Sequence, residues 1–181
     1  MILENNLAGK NILLRTAQEE DAEFILQLRL NPKLNRFIKK TDASIEKQRI
    51  WIAQKRAQKD DYHLIVQGLD GQKLGVIALY GIDMEKKTFD WGRWIIAEDA
   101  PFYAAVESAV LLYDFAFNGL GLQGALFEVQ RANEKVISFH KRFGAELLRS
   151  DKHFDYFSFD KSGFMKALIK YEKYHNIEIK Q

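Results

Sequence analysis

Two spacings of apolar residues divide the chain into predicted strands and predicted helices. Short apolar runs bounded by turn residues are typical of strands, and recurrence at every third or fourth position is typical of amphipathic helices. The runs that predict strands are 11–15, 62–67, 73–80, 91–96, 125–130, 146–149 and 154–159. The predicted helices follow residue 16, begin near residues 44 and 133, span about 102–117, and close the chain at 164–174.

Local signals predict several boundaries of these helices. Thr16–Glu19 has the spacing of a capping box at the start of the first helix, which must end before Pro32. Ser44 is suited to cap the second helix and Asn133 the fourth. Asn118–Gly119 is a typical stop for the long third helix.

Runs of strands interrupted by one strand–helix–strand crossover indicate an α+β (mixed α/β) fold. We expect a central, largely antiparallel, twisted sheet of about six or seven strands with helices on both faces. At 181 residues the default is a single domain, 1–181, with its core at about 11–160 and a C-terminal helix at about 162–176.

Composition and charge argue against several classes of protein. Lysine and arginine number 27 against 25 acidic residues, and the two signs are interspersed, so nucleic acid is not an expected partner. Without cysteine there is neither a disulfide scaffold nor a thiolate metal site, and the histidines and acids lack metal-ligand spacing. No window holds the roughly 20 apolar residues of a membrane span, and the first residues do not resemble a signal peptide. We therefore expect a cytoplasmic protein with no metal and no membrane partner.

The stretch 89–118 carries the clearest functional signal. A run rich in Trp and Ile leads through Glu98–Pro101 directly into the long third helix. Backbone N–H groups at the start of a helix lack intrahelical partners, and the helix dipole favours negative charge there. The junction is therefore a candidate anion site.

Three segments, spread over roughly residues 11–160, carry a resemblance to a known family. The segment LLRTAQEEDAEFILQLRLNP (13–32) resembles an opening strand, cap and first helix, and FDWGRWI (89–95), with a helix ending YDFAF, resembles a cofactor strand and helix. The segment NEKVISFHKRFGAELL (133–148) is similar to the pattern N-x-x-A-x-x-x-Y-x-x-x-G-F. In this order they resemble the GNAT superfamily of N-acetyltransferases, in the subgroup of ribosomal-protein alanine and amino-sugar acetyltransferases.

The resemblance implies that acetyl-CoA binds at the central strand and helix. In the family the strand splays from its neighbour, so that its free backbone groups pair with the pantetheine arm like an added strand. The diphosphate then rests on the helix N-terminus, and an asparagine before the next helix lies beside the pantetheine. The residues expected to hold acetyl-CoA are Trp94, Ile95, Ile96, Ala97, Phe102, Tyr103, Ala104, Ala105 and Asn133.

The diphosphate loop departs from the family pattern. The family usually has Arg or Gln, two residues, Gly, one residue, then Gly or Ala; here Ala100, Tyr103 and Ala105 stand at those positions. A cation and a glycine are therefore missing, and Glu98 and Asp99 lie close by. Helix amides would have to bind the diphosphate; the alternative is that Asp99 caps the helix and no cofactor binds.

The resemblance also implies two catalytic residues. The family often uses a carboxylate on the central strand as a base acting through water, and Asp90 matches that position; the alternative is an exposed aspartate at a strand start. The family's proton donor is commonly a Tyr seven residues after its Asn, which from Asn133 is His140. His140 also falls four residues after Val136, so it could instead be an interior histidine.

The amine substrate is expected on the side of the first helices. Arg29–Pro32 resembles the end of helix one in amino-sugar acetyltransferases that act on nucleotide-linked deoxysugars, and basic residues could bind a diphosphate. The alternatives are that the tryptophans are core residues and that the basic residues are solvated. The candidate substrate-binding residues are Arg29, Asn31, Arg36, Tyr80, Trp91 and Arg93.

The predicted function is N-acetyl transfer from acetyl-CoA, directly within a ternary complex. The acceptor is a small-molecule amine, with a nucleotide-linked amino sugar favoured. The alternatives are a protein N-terminal (ribosomal-protein-type) or polyamine acetyltransferase, and a non-catalytic binding module on the same fold. The oligomeric state is left open between monomer and homodimer.

Overall fold

The structure is a computed structural model that describes residues 1–177. Its strands are β1 (Leu7–Ala8), β2 (Ile12–Thr16), β3 (Asp61–Gly68), β4 (Lys73–Asp83), β5 (Thr88–Ile96), β6 (Gly124–Gln130), β7 (Glu146–Ser150) and β8 (Phe154–Asp160). Its helices are α1 (Ala22–Leu30), α2 (Ile45–Ala57), α3 (Tyr103–Asp114), α4 (Glu134–Phe143) and α5 (Lys161–Lys170).

All the strands join one twisted sheet in the order β1-β2-β3-β4-β5-β6-β8-β7. Every neighbouring pair is antiparallel except β5 and β6, which are parallel and joined by the α3 crossover. This confirms the mixed, largely antiparallel fold. The sheet has eight strands rather than six or seven, because the two-residue strand β1 pairs with β2 at the edge.

The sheet opens between β5 and β6. Only two residue pairs join these strands, Thr88 with Gly124 and Phe89 with Ala125, whereas β5 pairs with β4 as far as Ile96. Beyond Phe89 the backbone of β5 therefore has no strand partner on its β6 side. This is the predicted splay at the middle of the sheet.

Alternating side chains give the sheet two buried faces, each covered by helices. On one face Phe89 and Trp91 pack with Tyr113 of α3 in the larger apolar core. On the other face Ile65 and Ile95 belong to a smaller core with residues of α1 and α2. We call these the α3 face and the α1–α2 face.

The helix starts were predicted with mixed success. Ser44 caps α2 as predicted, because its side chain accepts a hydrogen bond from the N–H of Lys47. The capping box at Thr16–Glu19 is wrong: the N–H of Gln18 donates to Asp21, three residues further on. Asn133 occupies the N-cap position of α4 but makes no side-chain capping bond.

The helix ends follow the turn signals closely. Asn31 is extended before Pro32 and ends α1 as predicted. The long helix α3 continues as a π-helical turn, Phe115–Gly119, to the predicted stop. The C-terminal helix is shorter than 162–176, because α5 ends at Lys170 and a short 3-10 turn follows at Glu172–Tyr174.

Candidate active site

Three neighbouring strands line up polar side chains on the α1–α2 face. Asp61 of β3 is the cross-strand partner of Tyr80 on β4, and Tyr80 is in turn the partner of Asp90 on β5. In the adjacent row His63 pairs with Ala78. Directly opposed residues project to the same side of a sheet, so these side chains form one continuous polar floor.

Asp90 lies at the apex of the opening between β5 and β6, one residue beyond the last pair that joins them. Burial raises the pKa of its carboxyl to about 7, and the nearby Glu128 on β6 acts in the same direction. The N–H of Trp91 and the charge of Arg93 oppose this rise only in part. Near neutral pH the carboxyl can therefore accept a proton and release it.

The Tyr80 hydroxyl lies beside Asp90 over the backbone of the next strand. A Cβ added at Gly92 would come within 2.8 Å of the Tyr80 Oη, so glycine leaves the space that this hydroxyl occupies. Burial, and then the charge of Asp90, raise the pKa of Tyr80 to about 12. The hydroxyl therefore stays protonated and able to donate a hydrogen bond.

Arg93 reaches across β4 from its strand to β3. Both terminal nitrogens of its guanidinium lie 2.7 Å from the carboxylate oxygens of Asp61, and the guanidinium stacks 4.4 Å from the centre of the Tyr80 ring. Lys55 of α2 lies 3.2 Å from the same carboxylate. Burial raises the pKa of Asp61, but the bonds and charges of Arg93 and Lys55 outweigh it and hold that pKa below its usual value.

Arg29, at the end of α1, is half-buried on the same side as Arg93. Its Nε donates to the Thr41 hydroxyl at 2.7 Å and its Nη2 to the Lys39 carbonyl at 3.3 Å. Within residues 1–177 no carboxylate pairs with it. Burial and the charge of Arg93 lower its pKa, yet an arginine remains charged at any physiological pH. A charged guanidinium of this kind attracts an anion.

His63 is buried beneath Trp51 of α2. The two rings meet edge to face with centroids 4.9 Å apart, and neither ring nitrogen of His63 has a hydrogen-bond partner within the described chain. Burial, followed by the charge of Arg93, lowers the pKa of His63 to about 3. The imidazole is therefore neutral at physiological pH.

The loop before α3 is tied to the end of α1. The Asn31 amide donates to Glu98 at 2.8 Å, and Lys33 pairs with the same carboxylate at 2.9 Å. Asn31, predicted to bind substrate, therefore positions this loop.

The N–H of Ala104, one of the amides predicted to hold a diphosphate, already donates to the Pro101 carbonyl at 2.9 Å. Phe102 at the helix start is 75 % exposed.

Trp91 and His140 lie on the α3 face, away from the polar floor. The Trp91 side chain is 4 % exposed and packs among aromatic rings, which corrects its predicted role as a surface for the substrate. The His140 ring lies 4.4 Å from that of Phe127, and burial lowers the pKa of His140 to about 3. This environment disfavours a charged proton donor.

The other predicted residues are spread over both sides of the opening. The Trp94 indole donates to the Ser108 hydroxyl at 3.2 Å on the α3 face. Ile95 belongs to the α1–α2 core, and Asn133 is half-buried at the start of α4. Arg36 is exposed, with its guanidinium 5.1 Å from the centre of the Phe37 ring. The structure thus brings together Asp90, Tyr80, Arg93 and Arg29, and separates them from Trp91 and His140.

Sequence reasoning missed four polar residues around the floor. The alternating pattern of β3 could have revealed that Asp61 and His63 share a face, because they are two residues apart on one strand. The contributions of Lys55 and Glu128 depend on how α2 and β6 pack, for which the sequence gives no local signal.

A strand with free backbone groups, a helix start beside it and a carboxylate of raised pKa at the apex define an acyltransferase site. The chain belongs to the family described as acetyltransferase (GNAT) domain, whose model matches residues 11–146. This confirms the resemblance carried by the three sequence segments.

Solved structures are similar over most of the chain. FdhC in its apo form, described as a nucleotide-linked sugar GNAT, is 36% identical with a TM-score of 0.87, over 96% of this chain and 100% of that one. Spermidine N-acetyltransferase from Vibrio cholerae, in complex with CoA and spermine, has 15% identity and a TM-score of 0.72, over 85% and 98%. A Vibrio cholerae protein described as a ribosomal-protein-serine acetyltransferase has 16% identity and a TM-score of 0.74, over 88% and 99%. No curated protein matches the chain in sequence.

Proposed function

We propose that this acetyltransferase moves the acetyl group of acetyl-CoA to the amine of a nucleotide-linked amino sugar. The observation that carries the choice of acceptor is Arg29, a half-buried guanidinium that, within residues 1–177, has no carboxylate partner. The similarity to FdhC, a nucleotide-linked sugar GNAT, supports the same choice.

The opening in the sheet fits the arm of acetyl-CoA. Beyond Phe89 the N–H and C=O groups of β5 on the β6 side have no strand partner, so they can pair with the amide groups of pantetheine. The loop at 97–102 and the first turn of α3 lie at the end of this strand, where the diphosphate would rest. Acetyl-CoA supplies an activated thioester, and the remaining steps fall to the residues of this chain.

Asp90 is suited to remove the proton that makes the acceptor unreactive. An amine enters as an ammonium ion and must lose a proton before its nitrogen can bond to the acetyl carbon. As the carbon–sulfur bond then breaks, CoA leaves as the thiolate and takes up the second proton that the nitrogen loses. A carboxyl with a pKa of about 7 accepts that proton, directly or through a water molecule, near neutral pH. Tyr80 remains protonated beside it and can orient the acceptor through its hydroxyl.

Arg29, beside the floor, favours an anionic acceptor over a polyamine. A polyamine carries several positive charges and needs several carboxylates to bind them, but Asp61 is already paired with Arg93 and Lys55. Arg29 presents an uncompensated positive charge beside Arg93. A nucleotide-linked sugar carries a diphosphate of the opposite sign. We therefore place the acceptor diphosphate at Arg29 and its amine at Asp90.

Acetylation assays with several acceptors test this proposal. We expect turnover with nucleoside-diphosphate-linked amino sugars and little with spermidine or an N-terminal peptide. Arg29→Gln should raise the acceptor KM at least about tenfold, the loss of one charged hydrogen-bonded contact. The matched control is Arg49→Gln, on the exposed side of α2.

Three results would contradict the proposal. Faster turnover of spermidine or of a peptide would reassign the acceptor, and an unchanged KM in Arg29→Gln would remove the diphosphate from that position. No turnover of any amine, together with no thermal stabilisation by acetyl-CoA, would favour a non-catalytic binding module.

A further inference from the structure

The ion pair between Asp61 and Arg93 joins two strands that are not neighbours in the sheet. Asp61 begins β3 and Arg93 lies on β5, so the pair passes over β4 and its Tyr80 ring. Asp61 is 2 % exposed. Two parallel hydrogen bonds at 2.7 Å fix the guanidinium in one plane, which a single contact would not do.

Arg93 also marks an irregularity in β5. Its φ angle is +47°, in the left-handed region that residues with a side chain rarely adopt, and the register with β4 shifts between Val76 and Ala78. Two residues of β5 therefore lie between the partners Gly92 and Ile95, opposite one residue of β4. A bulge of this kind re-aims the side chains and the backbone that follow it.

The bulge lies between the two parts of the site. Asp90 precedes Arg93 by three residues, and Trp94–Ile96, the stretch expected to pair with pantetheine, begins at the second residue of the bulge. A left-handed conformation at a residue with a Cβ is strained and persists only where the surroundings fix it. The fork of hydrogen bonds to Asp61 supplies that fixation.

Asp61 is also placed to moderate the Arg93 charge that acts on Asp90. The charged and titratable groups around Asp90 are Glu128 from β6, Tyr80 from β4, Tyr113 from α3 and Arg93 from its own strand. Asp61 pairs with Arg93 and also with Lys55, so its carboxylate compensates part of the Arg93 charge locally.

We propose that Asp61 is a positioning residue of the active site: through Arg93 it holds the β5 bulge in place and sets the charge that acts on Asp90. This inference rests on the proposed role of Asp90 as the base. It assigns Arg93 to the architecture of the site and leaves Arg29 to bind the acceptor.

The pH dependence of kcat/KM tests whether Asp61 sets the charge that acts on Asp90. The acidic limb of the profile is the range in which kcat/KM falls as the pH is lowered. Asp61→Asn removes the carboxylate that compensates Arg93, so we expect this limb to move down by at least about 0.5 pH unit. Arg93→Gln removes the positive charge, and the limb should move up by at least about the same amount. The control Asp60→Asn, at an exposed neighbour, should leave it in place. A purely structural ion pair would lower the melting temperature in both variants without opposite shifts, and that result would overturn the proposal.

The affinity for CoA tests whether the ion pair holds the β5 bulge in place, and it needs no turnover. Arg93→Lys keeps the charge but loses the fork, so the acidic limb should stay near its wild-type pH while CoA binds at least about fivefold more weakly in calorimetry. Unchanged CoA affinity in both Arg93→Lys and Arg93→Gln would remove the bulge from the mechanism. A wild-type protein that binds CoA but acetylates no nucleotide-linked sugar would instead overturn the proposed acceptor alone.

A double variant covers the case in which Asp61→Asn does not fold. Asp61→Asn with Arg93→Gln removes both charges together and leaves two amides that can hydrogen-bond. We expect its acidic limb to lie at a lower pH than that of Arg93→Gln, because the uncompensated Asp61 charge is gone. A limb at or beyond that of Arg93→Gln would show that Asp61 has no influence on Asp90, which contradicts the proposal.

Discussion

The Trp91 indole packs against the His140 imidazole with ring centroids 5.2 Å apart and ring planes at 74°. Asp90 is the preceding residue on β5, and alternation along a strand directs its side chain to the opposite face. The two residues predicted to handle protons are therefore separated by the sheet. They can act on the same reactants only through the opening between β5 and β6.

His140 should contribute little to proton transfer at neutral pH. Its pKa of about 3 leaves it uncharged, and its neighbours are aromatic rings. We expect His140→Phe to keep kcat within about threefold of wild type, since a neutral buried imidazole supplies none of the roughly 10²–10⁴-fold of general acid catalysis. A loss of tenfold or more in steady-state assays, in a variant that melts normally, would restore the proton-donor role.

Asp90 should control both the rate and its pH dependence. Because the base must be ionised, kcat/KM should fall as the pH drops below its pKa of about 7. Asp90→Asn should lower kcat at least about tenfold with little change in the KM for acetyl-CoA, since the lost interaction is made only during transfer. Asp70→Asn, in the exposed turn between β3 and β4, is the control. A variant that keeps both the rate and the acidic limb would remove Asp90 from the mechanism.

Two of the buried histidines, His63 and His140, should make the fold sensitive to acid. His63 and His140 each have a folded-state pKa of about 3, whereas the unfolded chain takes up the proton near pH 6.5. Stability is therefore lost as the pH falls from about 6.5 towards 3, by about 2 kcal/mol for each histidine at pH 5.

Unfolding of the single variants at two pH values measures this effect. His63→Phe also removes two buried groups without partners, so it should raise the free energy of unfolding already at pH 7.5, by about 1 kcal/mol. The gain should be larger at pH 5. Equal effects at both pH values, or destabilisation at both, would show that His63 is charged or hydrogen-bonded in the folded protein.

The start of α3 should contribute strongly to the affinity for acetyl-CoA. The loop has no cation at the position where the family carries one, so backbone amides and the helix dipole must hold the diphosphate. S-acetylpantetheine, which lacks the diphosphate, should show a kcat/KM at least about tenfold lower than acetyl-CoA. The 3′-dephospho form of acetyl-CoA separates the contribution of the 3′-phosphate. Equal kcat/KM values for all three would show that this loop does not bind phosphate.

Much of the fold could be predicted because its signals are local. Within residues 1–177, apolar runs and helical spacing identified seven of the eight strands and all five α-helices, and the missed strand β1 has only two residues, Leu7 and Ala8. The Thr16–Glu19 cap is wrong because the Thr16 hydroxyl accepts from the N–H of Leu3, and the bond to a carboxylate of the first turn forms instead between the Gln18 N–H and Asp21. The site residues were harder to predict than the fold, because the same residue types occur in the core and at the opening between β5 and β6.

Trp91 and Tyr80 illustrate that difficulty. Both are aromatic residues on central strands, and the sequence alone favours neither face for either of them. Sheet register places the Tyr80 side chain beside Asp90 and that of Trp91 in the α3 core. A shift of one residue would exchange the two faces.

The sequence by itself determined the elements, their order and the resemblance that led to the acetyltransferase family, since these depend on neighbours within one turn or one strand. Only the tertiary structure decided which charged groups meet. Arg93 and Asp61 are 32 residues apart in the chain, and Asn31 and Glu98 are 67 apart. Contacts at such separations depend on strand register and helix packing, which stabilise a few pairs among many that the same residues could form.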